Sequence, residues 1–193
     1  MRDQGLFDKD VNRLRKAIVL KPEVLGGWPT LVILVGLPGS GKSYFAAKLI
    51  EKIPAVLLES DFLRKDLVQR PVYSKFESFR LFRAIHELIR ELLGAKYNVI
   101  LDATNLSEDS RRPLNSIAKE TGAKLVLVHL NTPRAVAEER LSGRAFRPDG
   151  YSDADWAVYQ KLEVGFEPIT GPHYEIAGAM DISPVIAKIV LEI

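Results

Sequence analysis

One octapeptide constrains this chain more than anything else in it. Gly36, Leu37, Pro38, Gly39, Ser40, Gly41, Lys42 and Ser43 stand between an apolar run at 31–35 and a helical pattern that starts at Lys42. They fit G-x-x-x-x-G-K-[ST] at every fixed position. Such glycines let the main chain curl until successive N–H groups point inward at phosphate oxygens. The start of the following helix adds its positive end at the same place. Lys42 is then expected to reach the β- and γ-phosphates, and the Ser43 hydroxyl to ligate Mg²⁺. These eight residues, with Tyr44 after them, are the candidate nucleotide-binding set. A glycine-rich turn that binds nothing is the bland alternative, and a strand and a helix in register on either side speak against it.

The pattern around the loop alternates. The continuous apolar run at 31–35 reads as a strand buried on both faces, and 55–58, 98–101 and 124–130 read as further strands. Between them, 42–53, 74–93 and 107–121 read as helices, the second carrying Phe76, Phe79, Phe82, Ile85, Ile89 and Leu92 at steps of three or four. Ser107 is a candidate cap and Gly122 a candidate stop. Thr132-Pro133 opens another helix, and Ser152 to Asp155 resembles a capping box before 156–164. A short fifth strand at 174–177 and a helix at 184–191 follow. Strands alternating with helices imply an α/β fold with a parallel sheet covered on both faces. The 193 residues, 47% hydrophobic and 27% charged, fit one such domain with a real core. Residues 1–29 read as a helical extension, Val11, Leu14 and Ile18 recurring at helical spacing before Pro22 and the breaker 26–29. That helix packs either on the domain, 30–193, or on a partner; the residues leave both open.

Three further features carry chemistry. Glu59-Ser60-Asp61-Phe62-Leu63-Arg64 falls at the carboxyl end of the second strand, where open α/β sheets bind ligands. Asp61 is a candidate to take the proton of an attacking hydroxyl, or else it only caps the next helix. Arg64, on the same helical face, is a candidate to hold an anionic group of an acceptor. Asp102 ends the third strand as a Walker B carboxylate does, supporting Mg²⁺. Thr104 and Asn105 after it either shape the turn or face the acceptor. Last comes the arginine cluster Arg134, Arg140, Arg144 and Arg147. Arg140 and Arg144, four apart, can share a helical face and neutralise charge in phosphoryl transfer. Arg134 reads as part of a solvated face.

With these pieces in order the sequence resembles the P-loop kinase group that includes the polynucleotide 5′-kinase domain, gluconate kinases, chloramphenicol phosphotransferase and zeta toxins. The likeness covers roughly 31–192. It is carried by GLPGSGKS at 36–43, ESDFLR at 59–64, VILDATN at 99–105, ERLSGR at 139–144 and the segment 152–169. It implies a three-layer α/β/α P-loop NTPase fold of the kinase type, with a five-stranded parallel sheet in the order 2-3-1-4-5 and a mobile lid near 140–152. It also implies ATP and Mg²⁺ as cofactors. Asp61 becomes the general base, Arg64 the contact to the acceptor's phosphate, and Arg140 and Arg144 the grip on the ATP phosphates. The motifs specify a reaction, phosphate transfer to a hydroxyl, and leave the acceptor open between a nucleic acid 5′-end and a small polar metabolite.

Other residues carry less. A net charge of +2 says little about nucleic acid, the sequence shows no obvious aromatic-rich basic groove for a strand, and the absence of cysteine excludes thiolate chemistry and disulfides. The first ten residues are rich in charge and the apolar runs are too short to span a bilayer, so no membrane contact and a cytoplasmic location are expected. His86, His129 and His173 show no metal-ligand spacing and read as packed or surface residues. Phe62 and Tyr73 read as base-stacking candidates or core, Trp28 and Trp156 as packing anchors, and Arg111-Arg112 as a solvated pair in preference to an acceptor contact. A second function stays open: a nucleotide-sensing assembly module whose N-terminal helix contacts a partner.

Overall fold

The computed structural model describes residues 2–20, 28–144, 152–178 and 180–193, with Arg2, Asp3 and Arg144 described for their main chain only. Its elements are α1 (Arg2–Ala17), β1 (Thr30–Val35), α2 (Lys42–Ile50), β2 (Val56–Glu59), α3 (Ser60–Leu67), α4 (Lys75–Gly94), β3 (Val99–Asp102), α5 (Glu108–Thr121), β4 (Lys124–Asn131), α6 (Arg134–Arg144), α7 (Trp156–Glu163), β5 (Tyr174–Ala177) and α8 (Ser183–Glu192). The five strands form one parallel sheet in the order β2-β3-β1-β4-β5, the order the resemblance implies.

The sheet lies between two apolar layers, and β1 shows why its sequence is unbroken by polar residues. All six of its residues are buried. Leu31, Ile33 and Val35 face one layer with α3, α4 and α5, while Val32 and Leu34 face the other with α2 and α8. Successive side chains of a strand point to opposite faces, so a strand covered twice must be apolar throughout. Caps fix the helices where the sequence marks them. Ser107 accepts from the Ser110 N–H, Asp155 accepts from the Val158 N–H, and Gly122 ends α5 at φ 65°.

Two expectations change. The stripe of α4 that enters the core is Leu81, Ala84, Ile85, Leu88, Ile89 and Leu92, whereas Phe76 and Phe79 are 65% and 59% exposed. A 20-residue helix is about 30 Å long and the strands beneath it span at most about 20 Å, so one end must overhang. In a parallel sheet the overhanging N-terminal end of α4 lies at the carboxyl ends of the strands. Trp28, expected as a packing anchor, is 78% exposed beside Gly122. The open question about the N-terminal helix is answered: α1 lies on α4 and α3, with Val11 and Leu14 in the main core. Asp10 accepts two hydrogen bonds from Arg80, at 2.6 and 2.9 Å, and Arg15 pairs with Glu91 at 2.7 Å.

Candidate active site

The phosphate-binding loop leaves β1 at Gly36, whose N–H donates to the Thr104 carbonyl at 3.1 Å, so the turns after β1 and β3 are tied together. Two glycines are obligatory here. A Cβ on Gly36 would stand 2.7 Å from the Leu130 carbonyl oxygen, and one on Gly39, at φ 78°, would stand 3.1 Å from the Ala137 carbonyl and 3.2 Å from Leu141. Gly39 therefore lets α6 pack directly on the loop. Gly41, at φ 98°, caps α2 without a side-chain bond, and the first turn of α2 carries no acidic residue. Its N–H groups and dipole end are not neutralised from within the helix, which suits a phosphate. Lys42 is buried and its Nζ donates to the Leu37 carbonyl at 2.9 Å, so the ammonium lies folded over the loop. Ser43 and Tyr44 are exposed at the start of α2.

At the carboxyl ends of β2 and β3 stands a corner of three carboxylates. Glu59 ends β2 and Asp102 ends β3, directly paired in the parallel register. Asp61 follows in the first turn of α3. Burial, then Asp102 and Asp61, push the Glu59 carboxyl above its usual range. Like charges are crowded here because two neighbouring strands stop at the same level. The hydroxyl of Ser43 and the carboxylate of Asp102 are hard oxygen donors, the set that Mg²⁺ prefers, so the donor chemistry of this corner fits that ion. Glu59 was missed in the sequence. Its signal was available: the second strand ends on a carboxylate, and the 2-3-1 order makes it a neighbour of Asp102.

The acceptor candidates are placed less openly. Arg64 faces inward, 6% exposed, and its Nη1 donates to Glu77 at 2.7 Å. The Tyr73 ring covers its guanidinium with 4.8 Å from Cζ to the centroid, and Nε has no partner. Tyr73 takes φ 54°, and its hydroxyl donates to Asp153, which also accepts from Lys65 at 2.6 Å. Burial and the Asp153 carboxylate push the Tyr73 phenol upward. The buried Asn105, at φ 47°, spends its amide nitrogen on the Leu34 carbonyl at 2.8 Å, a strut between the ends of β1 and β3. Thr104 contributes its main-chain carbonyl to Gly36. Phe62 is half-buried against the core.

Arg140 crosses the loop from α6, its Nη1 donating to the Gly39 carbonyl at 3.1 Å. The Arg144 side chain and Arg147, with most of the expected lid, lie outside the described residues. Arg134 pairs with Glu163 at 3.1 Å and sits over Trp156. Arg111 overturns its expectation as a solvated residue. It is 5% exposed and donates to the carbonyls of Asn105, Leu106, Glu167 and Pro168, riveting the turn after β3 to the segment after α7. Arg112 is exposed and paired with Asp109. A small cavity of about 110 Å³ opens on the other side of the loop, lined by Leu37, Pro38, Ser40, His129, Tyr159 and Phe166.

A phosphate-binding loop after the central strand, carboxylates closing the neighbouring strand β3 and the edge strand β2 next to it, and a sheet of this order define a P-loop domain of the kinase type. The chain belongs to the AAA_33 family, whose model, described as an AAA domain, matches residues 31–169. Among curated relatives, L-seryl-tRNA(Sec) kinase of Methanococcus maripaludis is 36% identical over 106 residues, covering 53% of this chain and 41% of the relative. The 6-phosphofructo-2-kinase/fructose-2,6-bisphosphatase 1 of Rattus norvegicus is 30% identical over 148 residues, 66% of this chain and 31% of the relative. The chain thus spans less than half the length of these relatives. Among solved structures, the Mycobacterium tuberculosis APS kinase CysC in complex with AMPPNP and APS has a TM-score of 0.63 at 22% identity, over 86% of this chain and 99% of that one. A chain of the Pnkp1/Rnl/Hen1 RNA repair complex has 0.62 at 27% identity, over 75% of this chain and 46% of that one. Among the described residues, no helix is long and apolar enough to cross a membrane.

Proposed function

We propose that this chain is an ATP-dependent kinase that transfers the γ-phosphate to an alcohol hydroxyl. The observation that carries this reading is the carboxylate corner, with Asp61 beside the paired strand ends of Glu59 and Asp102, at the same carboxyl edge of the parallel sheet from which the loop of Gly36 to Ser43 leaves β1. Hydrolysis alone needs no second carboxylate poised for an incoming alcohol. In this reading the loop amides and Lys42 hold the β- and γ-phosphates, and Arg140 adds positive charge from α6. Ser43 and Asp102 would hold Mg²⁺, which when bound neutralises charge on the phosphate oxygens. The acceptor oxygen forms a bond to the γ-phosphorus as the bond to the β–γ bridging oxygen breaks. The hydroxyl proton passes to Asp61, and ADP leaves.

Arg64, Thr104 and Asn105 frame the acceptor side. For the Arg64 guanidinium to touch an acceptor's anionic group, the Tyr73 ring has to swing off it. Helix α1 serves here as an integral buttress. The apolar face of α1 is spent on α4, so the ground for an assembly module that recruits a partner through that helix falls away. The relatives' names point to acceptors as different as a seryl-tRNA and a sugar phosphate, and the acceptor here is either a polynucleotide 5′-hydroxyl or a small polar alcohol.

The test is transfer from labelled ATP to 5′-hydroxyl RNA, 5′-hydroxyl DNA, sugars and nucleosides. Asp61→Ala is expected to lower transfer by about 10²–10⁴-fold with ATP affinity nearly unchanged. Transfer within a few-fold of the parent in that variant removes Asp61 as the base. Tight ATP binding with no transfer to any acceptor removes the kinase reading itself.

A further inference from the structure

The three histidines read from the sequence as unremarkable packing or surface residues, and the fold brings two of them together. His129, His173 and Glu175 each offer one ligand atom, and these atoms lie within 4.8 Å of one another. The topology accounts for the convergence. His129 on β4 is the register partner of Glu175 on β5, and His173 precedes Glu175 by two residues. Side chains two apart on an extended chain share a face, so all three stand on one side of the sheet's edge.

Their surroundings prepare them to ligate. His173 Nδ1 lies 2.9 Å from the Gly171 carbonyl oxygen. A carbonyl only accepts, so Nδ1 carries the hydrogen and the Nε2 lone pair stays available. Asn131 Nδ2 donates to Glu175 Oε1 at 2.9 Å, orienting the carboxylate. The His129 ring stacks on Phe166 at 5.2 Å and 15°. The group does not consume itself: His129 Nδ1 is 4.0 Å from Glu175 Oε1, too long for a hydrogen bond. Outer partners that fix tautomer and orientation are the usual companions of metal ligands.

We propose that His129, His173 and Glu175 form a site for a zinc-class divalent transition metal, distinct from the oxygen-donor corner of Ser43 and Asp102. Two imidazoles and one carboxylate suit zinc or cobalt and suit magnesium poorly. Bonds of about 2.0–2.2 Å place tetrahedral ligands roughly 3.3–3.5 Å apart, which side-chain rotation reaches from the separation here. Three protein ligands leave a fourth position for water or a donor atom of a bound molecule. An ion at this point pins the edge strand β5 to β4. It also steadies His129, which walls the cavity touching Leu37, Pro38 and Ser40.

The experiment is a Co²⁺ titration of the full chain, without nucleotide and with millimolar Mg²⁺ to fill oxygen sites, followed by visible absorption and by displacement with Zn²⁺. One equivalent is expected to give ligand-field bands of nitrogen coordination that Zn²⁺ removes. His173→Ala and Glu175→Gln, both outside the core, are each expected to weaken binding at least ~10-fold, the loss seen when even a residue that only hydrogen-bonds a metal ligand is replaced. Asp102→Asn is expected to leave it unchanged. Absence of the bands overturns the site, and so does equal binding by His173→Ala, or loss of binding in Asp102→Asn. None of these readouts depends on kinase activity, so the site fails or stands apart from the proposed reaction.

Discussion

Glu59 shows how a single carboxylate can work against the fold that holds it. Its carboxyl is half-buried and faces Asp102 and Asp61, so its folded pKa lies above the ordinary value of 4.5. The folded chain therefore holds that proton more tightly than the unfolded chain does. Stability is complete below about pH 4.5 and falls as pH rises through the raised folded value. Glu59→Gln removes the charge and keeps the shape. It is expected to raise the melting temperature at pH 8 by up to ~2–4 °C, corresponding to at most about 1 kcal/mol once solvent screening of a half-exposed group is allowed for. The gain should vanish at pH 4, where the native carboxyl is protonated. The Mg²⁺ concentration needed for half-maximal transfer should rise in the same variant, because the corner loses part of its negative field. Equal melting gains at both pH values refute the electrostatic account. In the proposed site, charge crowding that costs stability is the usual trade for function.

Between elements, the strut that matters is the one from α3 to α4. Arg64 is buried against Glu77 at 2.7 Å, and the same carboxylate accepts from the Val72 N–H at 2.9 Å. Glu77→Ala strands a guanidinium in the core and leaves an N–H unmet. The expected cost is about 3–5 kcal/mol, read as a loss in urea-unfolding free energy. A loss below 1 kcal/mol shows that water reaches Arg64 and that the pair is not buried in solution. This strut also marks where the sequence stops being legible. Helix and strand positions follow from local pattern, since β1 is a continuous apolar run and Ser107 and Gly122 carry their own cap chemistry. The phosphate loop is legible for the same reason, as eight contiguous residues. Arg64 reads as an open acceptor contact because nothing local announces that Glu77, thirteen residues on, will take it. Arg111 reads as solvated because its four carbonyl partners come from two separate loops. His129 and His173 read as unrelated because only strand register joins them. Phe76 and Phe79 have the right spacing for a core face, yet the helix outruns the sheet.

At the level of the whole molecule, the alternation of strands and helices around one phosphate loop fixes the topology, and the resemblance supplies the strand order. The attachment of α1 follows from neither. Helical spacing reveals the apolar face of Val11 and Leu14 but not what covers it, and the covering surface on α4 and α3 exists only once the domain has folded. Because Leu14 is fully buried in the main core and Asp10 is held by Arg80, α1 should unfold with the domain and not before it. Leu14→Ala is expected to cost about 2–5 kcal/mol of global stability, as for other buried leucines. Amides of α1 should exchange hydrogen only through the same global opening as those of α4, with matching free energies. If α1 exchanges freely while α4 stays protected, and Leu14→Ala leaves the melting temperature unmoved, the helix is a loose appendage. In that case α4, which carries Glu77 and so seats Arg64, draws no support from it, and the acceptor side of the cleft rests on the sheet alone.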